Sequence, residues 1–196
     1  SRAIYLFPTK ALAQDQRAEL DEVIRLLPEG VRIHTYDGDT PQDARKAIRS
    51  IGQIILTNPD MLHTGILPHH TKWINLFKNL KYIVVDELHN YRGIFGSHLA
   101  NVLRRLKRVA RFYGANPQFI LCTATIANPV EVAERMIEEP VILIDDNGAP
   151  RGEKFFIFYT PPVVNKFLGI RRSYINEARR VAGIFLRNNL QTIVFA

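Results

Sequence analysis

The sequence is poor in the residue types that define several classes of protein. Among its 196 residues there is a single cysteine, Cys122, which excludes an intramolecular disulfide and an all-cysteine metal cluster within this stretch. The cysteine lies in the apolar run 119–122, so we expect a buried, unreactive thiol. No apolar run approaches the ~18 residues that a membrane-spanning helix requires, so no membrane-spanning segment is predicted.

The composition is that of a globular protein with an excess of positive charge. Hydrophobic residues make up 46% of the chain and charged residues 23%, a balance typical of chains that bury a core. Lys and Arg number 26 against 19 Asp and Glu, which gives a formal net charge of +7 and an isoelectric point near 9.7. This excess favours a polyanionic partner, nucleic acid before an acidic membrane surface.

Short apolar runs alternate with helical patterns along most of the sequence. The predicted strands are 3–7, 31–36, 53–56, 81–85, 118–122, 141–144, 155–159 and 191–195, and the predicted helices are 12–27, 41–50, 97–113, 131–137 and 171–188. Such alternation predicts an α/β fold in which helices flank a parallel sheet.

A cluster of turn residues at 145–152 marks a change in organisation. We therefore predict one domain over residues 1–146 and the beginning of a second over 147–196. Because a lone βαβ unit cannot bury both faces of its sheet, we expect the second domain to be cut.

The most informative stretch is 82–89, where four apolar or aromatic residues precede Asp86, Glu87, Leu88 and His89. A buried strand of a parallel sheet would bring both acids to its carboxyl end, where open α/β sheets bind ligands. Adjacent acids there are costly unless a cation compensates their lost hydration. A nucleotide-hydrolysing site contains such a cation: Asp86 would bind magnesium, and Glu87 would orient or deprotonate the attacking water. The alternative is a strand that ends in a solvated turn.

Four other polar motifs also follow predicted strands. They are 7–12 (Phe-Pro-Thr-Lys-Ala-Leu), 36–40 (Tyr-Asp-Gly-Asp-Thr), 57–62 (Thr-Asn-Pro-Asp-Met-Leu) and 123–125 (Thr-Ala-Thr). Hydroxyl, amide and lysine side chains suit contacts with phosphate oxygens, although each motif alone is also typical of turns. In a parallel sheet all of them would lie at the same edge as the acid pair.

These motifs, in this order, resemble the superfamily 2 helicases of the DExH-box type, and in detail the Hrq/Mrf-type DNA-repair helicases related to RecQ. The resemblance rests on residues 36–40, 57–63, 85–98 and 123–129 and continues through 148–150 and 192–196. It implies a RecA-like parallel sheet flanked by helices over 1–146 and the start of a second RecA-like lobe over 147–196.

The resemblance also implies roles for individual residues. Asp86 would hold Mg²⁺ through water at the ATP site, Glu87 would be the catalytic base, and His89 would act with them. The residues implied in nucleic-acid binding are Pro8, Thr9 and Lys10 (motif Ia), Gly38 and Asp39, and Thr57, Asn58 and Pro59 (motif Ib). Motif III, formed by Thr123, Ala124 and Thr125, would couple the nucleotide site to the nucleic acid together with His89.

One departure from the family pattern is large. The sequence has no Gly-Lys-Ser/Thr, so it lacks the P-loop that cradles nucleotide phosphates. The arginine-bearing motif of the second lobe and the family's C-terminal cysteine cluster are missing as well. We therefore expect a fragment of a longer enzyme, inactive by itself, in preference to a natural pseudo-enzyme.

The expected function of the whole protein is ATP-dependent translocation on DNA and DNA unwinding in repair. The resemblance places it inside the cell, in the cytoplasm of a prokaryote or the nucleus of a eukaryote, with no membrane partner; it indicates no oligomeric state. Two alternatives stay open: an RNA helicase or translocase, since no residue here reads a 2′-hydroxyl, and a non-catalytic basic module that binds nucleic acid.

Several residues have two interpretations from the sequence alone. The basic side chains of the helix 97–113 are expected to form a solvated face, with a nucleic-acid or partner surface as the alternative; they are Arg104, Arg105, Lys107, Arg108 and Arg111. His63, His69 and His70 are expected in a polar surface loop and Trp73 in the core. Tyr91 and Phe95 could stack a base or pack their own loop.

Overall fold

The computed structural model describes residues 1–27, 30–146, 148–150 and 152–195. It divides the chain into two compact units, Ser1–Asp145 and Asp146–Ala196. In the first unit the strands are β1 (Arg2–Leu6), β2 (Ile33–Thr35), β3 (Ile54–Thr57), β4 (Leu80–Val85) and β5 (Gln118–Leu121). The helices are α1 (Lys10–Arg25), α2 (Gln42–Ile51), α3 (Pro59–Met61), α4 (Ile74–Lys78), α5 (Gly93–Phe112) and α6 (Pro129–Ile137).

The five strands form one sheet in the order β2-β3-β1-β4-β5, and every pairing is parallel. The three inner strands, β3, β1 and β4, carry fully buried residues, since Leu56, Ile4 and Ile83 are all 0% exposed. Strands covered by helices on both faces are apolar throughout their length, which is why these runs could be recognised in the sequence. The prediction of a parallel α/β fold is confirmed.

Helix α5 covers the sheet with a single apolar stripe. The stripe consists of Leu99, Val102, Leu103, Leu106 and Ala110, each no more than 2% exposed. Their spacing of three and four residues puts them on one side of the helix. The basic residues of α5 lie between these positions, so their charged ends point away from the core.

The segment between β3 and β4 is helical, which the sequence analysis missed. Asn58 caps α3 by accepting the Met61 N–H at 2.8 Å, and the chain continues through a π-helical turn, Leu62–Ile66, and a 3₁₀ segment, Leu67–Trp73, into α4. His63 and His70 therefore belong to helical segments and not to a loop, while His69 lies at a kink within the 3₁₀ segment (φ −109°, ψ 28°). Trp73 is 1% exposed and meets the Tyr36 ring edge-on at 4.8 Å, which confirms its place in the core.

The strands predicted at 141–144, 155–159 and 191–195 are wrong. None of the described residues there pairs with another strand, and Ile142, Phe158 and Phe195 are more than 90% exposed. An apolar run becomes a strand only where a neighbour satisfies its backbone groups, and periodicity does not indicate whether one exists. Parts of two predictions, the helix end at Pro28 and Glu29 and the turn cluster at Asn147 and Arg151, lie outside the described residues.

The second unit contains a short antiparallel pair, β6 (Val163–Asn165) and β7 (Ile170–Arg171), followed by α7 (Tyr174–Arg187). A polar cluster surrounds Glu177, which is 2% exposed and accepts hydrogen bonds from Arg180, Tyr159 and Arg172, each at 2.9 Å. These donors, Arg180 foremost, lower the pKa of Glu177 to about 2. None of the helices in the described part of the chain is long and apolar enough to cross a membrane.

Candidate functional site

The loops that follow the parallel strands meet at one edge of the sheet, as the sequence predicted. Backbone hydrogen bonds continue past the strand ends: Phe7 N–H donates to Thr57 O at 3.0 Å and Asp86 N–H to Leu6 O at 3.0 Å. On the other side, Leu88 N–H donates to Cys122 O at 2.9 Å. This extended pairing holds the polar motifs in fixed order along the edge.

Asp86 is half-buried and held from two sides. One of its oxygens, Oδ1, accepts the Glu87 N–H at 2.8 Å, and Oδ2 lies 3.5 Å from the Tyr5 hydroxyl. Burial, followed by the charge of Asp86, raises the pKa of Tyr5 to about 12, so the phenol keeps its proton to donate. The sequence analysis missed Tyr5, because only the pairing of β1 with β4 brings it beside Asp86.

Glu87 and motif III are joined through His89. The Glu87 backbone is left-handed (φ 53°, ψ 44°), a conformation that costs a non-glycine residue energy and recurs at functional sites. Its Oε2 lies 3.2 Å from His89 Nε2, and His89 Nδ1 accepts the Ala124 N–H at 3.2 Å. An accepting Nδ1 leaves the proton of a neutral ring on Nε2, the nitrogen that lies nearest the Glu87 carboxylate. One hydrogen bond and one close polar contact thus connect motif III to the acid pair.

The donor set at this edge fits one divalent cation shared with phosphates. Among the described residues, no group of three or more His, Cys, Asp or Glu side chains could hold a metal by itself. Mg²⁺ is commonly bound by one or two carboxylates, with water and substrate phosphates completing its shell. Asp86, whose carboxylate is only half-buried at the carboxyl end of β4, provides such a ligand.

Residues 36–40 form a tightly closed turn that presents Gly38 and Asp39 to solvent. Asp37 Oδ1 accepts the Asp39 N–H at 2.9 Å and the Thr40 hydroxyl at 3.1 Å. The Arg45 guanidinium donates to Thr40 O at 2.9 Å and to Asp37 O at 3.1 Å, which ties the turn to α2. The hydrogen bonds that close this turn therefore also hold the exposed backbone of Gly38 and Asp39 in place.

Lys10 lies across this turn and is already paired. Its Nζ is 2.7 Å from Asp39 Oδ2, and the two side chains are 45% and 78% exposed. The hydrogen bond to Asp39 raises the pKa of Lys10, so the amine stays charged. An ion pair this exposed is weak, which leaves Lys10 free to exchange its carboxylate partner for another anion.

Two of the residues predicted to contact nucleic acid, Thr57 and Pro59, are buried in the structure. Thr57 is 1% exposed and its hydroxyl donates to Tyr36 O at 2.7 Å, so it offers no donor to a ligand. Pro59 is buried as the first residue of α3. Asn58 uses its Oδ1 as a helix cap and keeps its amide N–H groups. Thr9, although exposed, caps α1 by accepting the Leu12 N–H at 3.4 Å.

Cys122 is exposed, not buried as expected. Strand β5 ends at Leu121, and the cysteine opens the motif III loop, in which Thr123, Ala124 and Thr125 are exposed as well. Partial burial of the sulfur, together with the charges of Asp86 and Glu87, raises the thiol pKa. The apolar run therefore predicted burial wrongly, because β5 is an edge strand with no fully buried residue and the cysteine lies just beyond it.

Tyr91 packs its own loop, which decides one of the questions left open by the sequence. The ring is 3% exposed and tilts against Phe95, with 5.0 Å between the centroids, while Phe95 is 37% exposed. A Cβ on Gly96 would overlap the Tyr91 carbonyl oxygen, so only glycine permits this close approach of α5. The loop borders a cleft of about 850 Å³ between α5, motif III and α6.

The parallel sheet, with an acid pair after β4 and polar loops along the same edge, places the chain among the open α/β proteins, which bind ligands at this edge. Residues 1–132 match the sequence profile described as "DEAD/DEAH box helicase". The chain belongs to the DEAD/DEAH box helicase family, and the RecA-like fold expected from the resemblance is confirmed.

Its relatives are of the Hrq and Mrf type, as expected. The chain is 61% identical over 196 residues to the "Uncharacterized ATP-dependent helicase YprA" of Bacillus subtilis, covering 100% of this chain and 26% of that protein. It is 42% identical over 200 residues to the "ATP-dependent helicase HRQ1" of Saccharomyces cerevisiae, covering 100% and 19%.

Solved structures of the DUF1998 helicase MrfA are similar along the whole chain. MrfA bound to DNA matches with a TM-score of 0.97 and 60% identity, over 100% of this chain and 26% of that one. MrfA bound to DNA and AMPPNP matches with a TM-score of 0.94 and 60% identity, over 100% and 27%. The chain therefore spans about a quarter of the length of these relatives.

Cys122 provides a test of the electrostatics at the acid pair. Because its thiol pKa is raised, the reactive thiolate should be scarce near neutral pH, and alkylation should accelerate only at higher pH than for an ordinary thiol. Glu87→Gln removes one of the two charges, so it should lower the thiol pKa and speed alkylation near neutral pH. Alkylation rates of the 196-residue chain, in which this is the only thiol, measure both effects.

Glu22→Gln is the matched control, because that carboxylate is exposed on α1. It should leave the alkylation rate unchanged, and Cys122→Ser reports the background. Equal alkylation profiles for the parent chain and the Glu87→Gln variant would show that the charge of Glu87 does not reach the thiol.

Proposed function

We propose that this chain is part of an ATP-dependent DNA helicase, in which the acid pair after β4 serves ATP hydrolysis and the loops after β1, β2 and β3 hold a DNA strand. The supporting observation is the polar link from Glu87 to Ala124, in which His89 lies 3.2 Å from the Glu87 carboxylate and accepts a hydrogen bond from the Ala124 N–H. A binding module without catalysis has no need for a path between an acid pair and a neighbouring loop. The names of the relatives, all ATP-dependent helicases, support the same proposal.

In the proposed site each acid has one task. Asp86 would hold Mg²⁺ with water and phosphate oxygens, and the ion would supply charge neutralisation of the phosphates when bound. Tyr5 fixes the orientation of Asp86, since the hydroxyl lies 3.5 Å from Oδ2. Glu87 would position and deprotonate the attacking water. The 196 residues contain no Gly-Lys-Ser/Thr, so tight nucleotide binding would require residues beyond them.

DNA is the proposed polymer because the similar MrfA structures contain DNA. Lys10, Gly38, Asp39 and Asn58 stand along one rim of the sheet edge, and of these Lys10 and Asn58 retain donors that could face phosphates. Contacts of this kind position a strand without reading its bases. Involvement in DNA repair follows from the Hrq/Mrf-type relationship and is part of the same proposal.

Glu87→Gln in the intact enzyme tests the proposal directly. The change keeps the size of the side chain and removes its basicity, so hydrolysis should fall ~10²-fold or more, the usual scale of general-base loss, while ATP still binds. Steady-state hydrolysis and nucleotide binding, measured with single-stranded DNA, with RNA and with neither, report the result. Glu22→Gln serves as the control. Turnover near that of the parent enzyme would exclude Glu87 as the base, and stimulation by RNA alone would indicate an RNA enzyme.

Two variants of His89 separate its contact with Glu87 from its hydrogen bond with Ala124. His89→Gln can place a donor near the position of Nε2 but no acceptor at Nδ1, so it should keep the contact with Glu87 and lose the one with Ala124. Basal hydrolysis should then fall less than DNA-stimulated hydrolysis. His89→Asn can keep the acceptor at Nδ1 and loses the donor, so basal hydrolysis should fall as well. If both variants lowered the two rates in equal proportion, His89 would not couple motif III to the acid pair.

Lys10→Ala and Asp39→Asn test the nucleic-acid rim as a pair. Removing one phosphate contact should weaken single-stranded DNA binding evenly across sequences and reduce the slope of log K against log salt by ~0.7. Asp39→Asn removes the carboxylate that competes for Lys10, so it should strengthen binding. Titrations of the intact enzyme over a range of salt give both quantities. Unchanged DNA affinity in Lys10→Ala, with collapsed basal hydrolysis, would assign Lys10 to the nucleotide site or to the fold.

A further inference from the structure

The basic residues of α5 lie on the solvent side of the helix, where they line a groove. A groove of about 760 Å³, here called the α5 groove, contains Arg104, Arg105, Lys107, Arg108 and Arg111 together with Glu138 and Glu139. Five cationic side chains against two carboxylates leave three positive charges without compensation. A concave surface of one sign concentrates its field and attracts oppositely charged partners more strongly than a flat one.

The ion pairs in the groove are distributed unevenly. Arg104 pairs with Glu138 at 2.7 Å, and Glu139 lies 3.1 Å from Lys107 and 3.6 Å from Arg111. These pairs tie the end of α6 to α5 and account for both acids of the groove. Two arginines in the middle of the groove have no acidic partner in the described part of the chain. Their guanidinium groups are therefore available to an anionic ligand.

Those two arginines are Arg105 and Arg108. Arg105 is half-buried and reaches only the His63 carbonyl and ring, both at 3.4 Å. Arg108 is exposed, and its guanidinium makes no hydrogen bond or ion pair with any residue that the structure describes. The same two side chains line a second cleft of about 370 Å³ with His70 and Phe112, so the basic groove continues to an aromatic surface.

Phe112 is 76% exposed at the last position of α5. An exposed phenyl ring beside free guanidinium groups is the combination that holds single strands, because phosphates pair with the arginines while a base stacks on the ring. An acidic peptide would use the charges but would gain little from the aromatic ring. The surface therefore suits a single-stranded nucleic acid better than an acidic segment of a protein.

One end of the α5 groove lies next to Asn58, one of the residues proposed to hold DNA. His63 and His98 stand there with their rings 5.2 Å apart, and His98 Nε2 is 3.9 Å from Asp60, two residues after Asn58. From this point α5 runs away from the carboxyl edge of the sheet. From His98 to Phe112 the helix extends ~21 Å at 1.5 Å per residue, long enough to carry a few nucleotides beyond the residues proposed to bind DNA.

We propose that the α5 groove is a second binding site for single-stranded DNA, which takes the phosphates of the strand beyond Asn58 on Arg105 and Arg108 and stacks a base on Phe112. The proposal rests on the proposed function, because it extends the same strand. Short strands would occupy only the rim, whereas longer strands would also fill the groove. Affinity should therefore increase with strand length beyond the size of the rim site.

The experiment measures binding of oligothymidylates of increasing length to the intact enzyme and to Arg105→Glu/Arg108→Glu. The double variant should bind short strands as the parent does and lose the additional affinity for long strands. Loss of two phosphate contacts should reduce the salt slope for long strands by ~1.4. Raising salt fourfold should then weaken the parent about sevenfold more than the variant. Arg25→Glu/Lys78→Glu, the same charge change at exposed positions outside the groove, should retain the length effect.

A second readout isolates the aromatic contribution. Long strands should bind the parent about fivefold or more tightly than abasic strands of equal length, the scale of one base stacked on an aromatic ring. Phe112→Ala should abolish the part of this difference that appears only with long strands. Arg108→Gln, a single change at an exposed residue without partners, keeps the test valid if the double variant fails to fold, as judged by its Tm.

The outcomes separate this proposal from the proposed function. Binding of short strands without any gain from length in the parent would overturn the groove and leave the helicase proposal intact. Absence of single-stranded DNA binding at every length would overturn both. If the double variant kept the length effect but lost binding to polyglutamate, the groove would serve an acidic protein segment, and the DNA proposal would be wrong.

Discussion

The parallel alignment of β1, β4 and β5 is the constraint on which the rest of the structure depends. Because all three strands run in one direction, the residues after each of them arrive at the same edge. The backbone pairing then continues for one or two residues into the loops, as the contact of Leu88 N–H with Cys122 O shows. A flexible loop could bring Asp86 near motif III, but only this pairing fixes the distance between them.

Stability and chemistry share the same side chains at this edge. Asp37, Thr57 and Asn58 carry polar groups that suit phosphate, yet their oxygens hold turns and helix starts together. Buried polar groups must be paired, so the residues nearest the core have given their hydrogen bonds to the fold. The groups left for ligands stand further out: the Lys10 amine, the Asn58 amide N–H groups and the exposed backbone of Gly38. Polar groups near the core thus stabilise the loops, and the exposed polar groups of the same loops remain available to a ligand.

The two acids, Asp86 and Glu87, are adjacent in sequence but have different hydrogen-bonding environments. Asp86 receives its hydrogen bonds from within the fold, from the Glu87 N–H and the Tyr5 hydroxyl. Glu87 follows the strand in a left-handed conformation, and its carboxylate lies 3.2 Å from His89 Nε2. These environments suit the proposed roles, because a ligand for a cation profits from rigidity, whereas a base must reach water. Since His89 also accepts a hydrogen bond from Ala124, a movement of motif III would shift His89 and change its contact with Glu87.

The sequence alone determined the class of fold, the strand that carries the acids and the edge at which the polar motifs collect, because buried parallel strands are apolar throughout and end where polarity returns. Tertiary structure decided which polar groups remain available. It buried Thr57, exposed Cys122, brought Tyr5 to Asp86 and left 141–144 and 155–159 without strand partners. Each of these outcomes depends on a neighbour distant in sequence, and a local pattern contains no information about the distance between two segments in space.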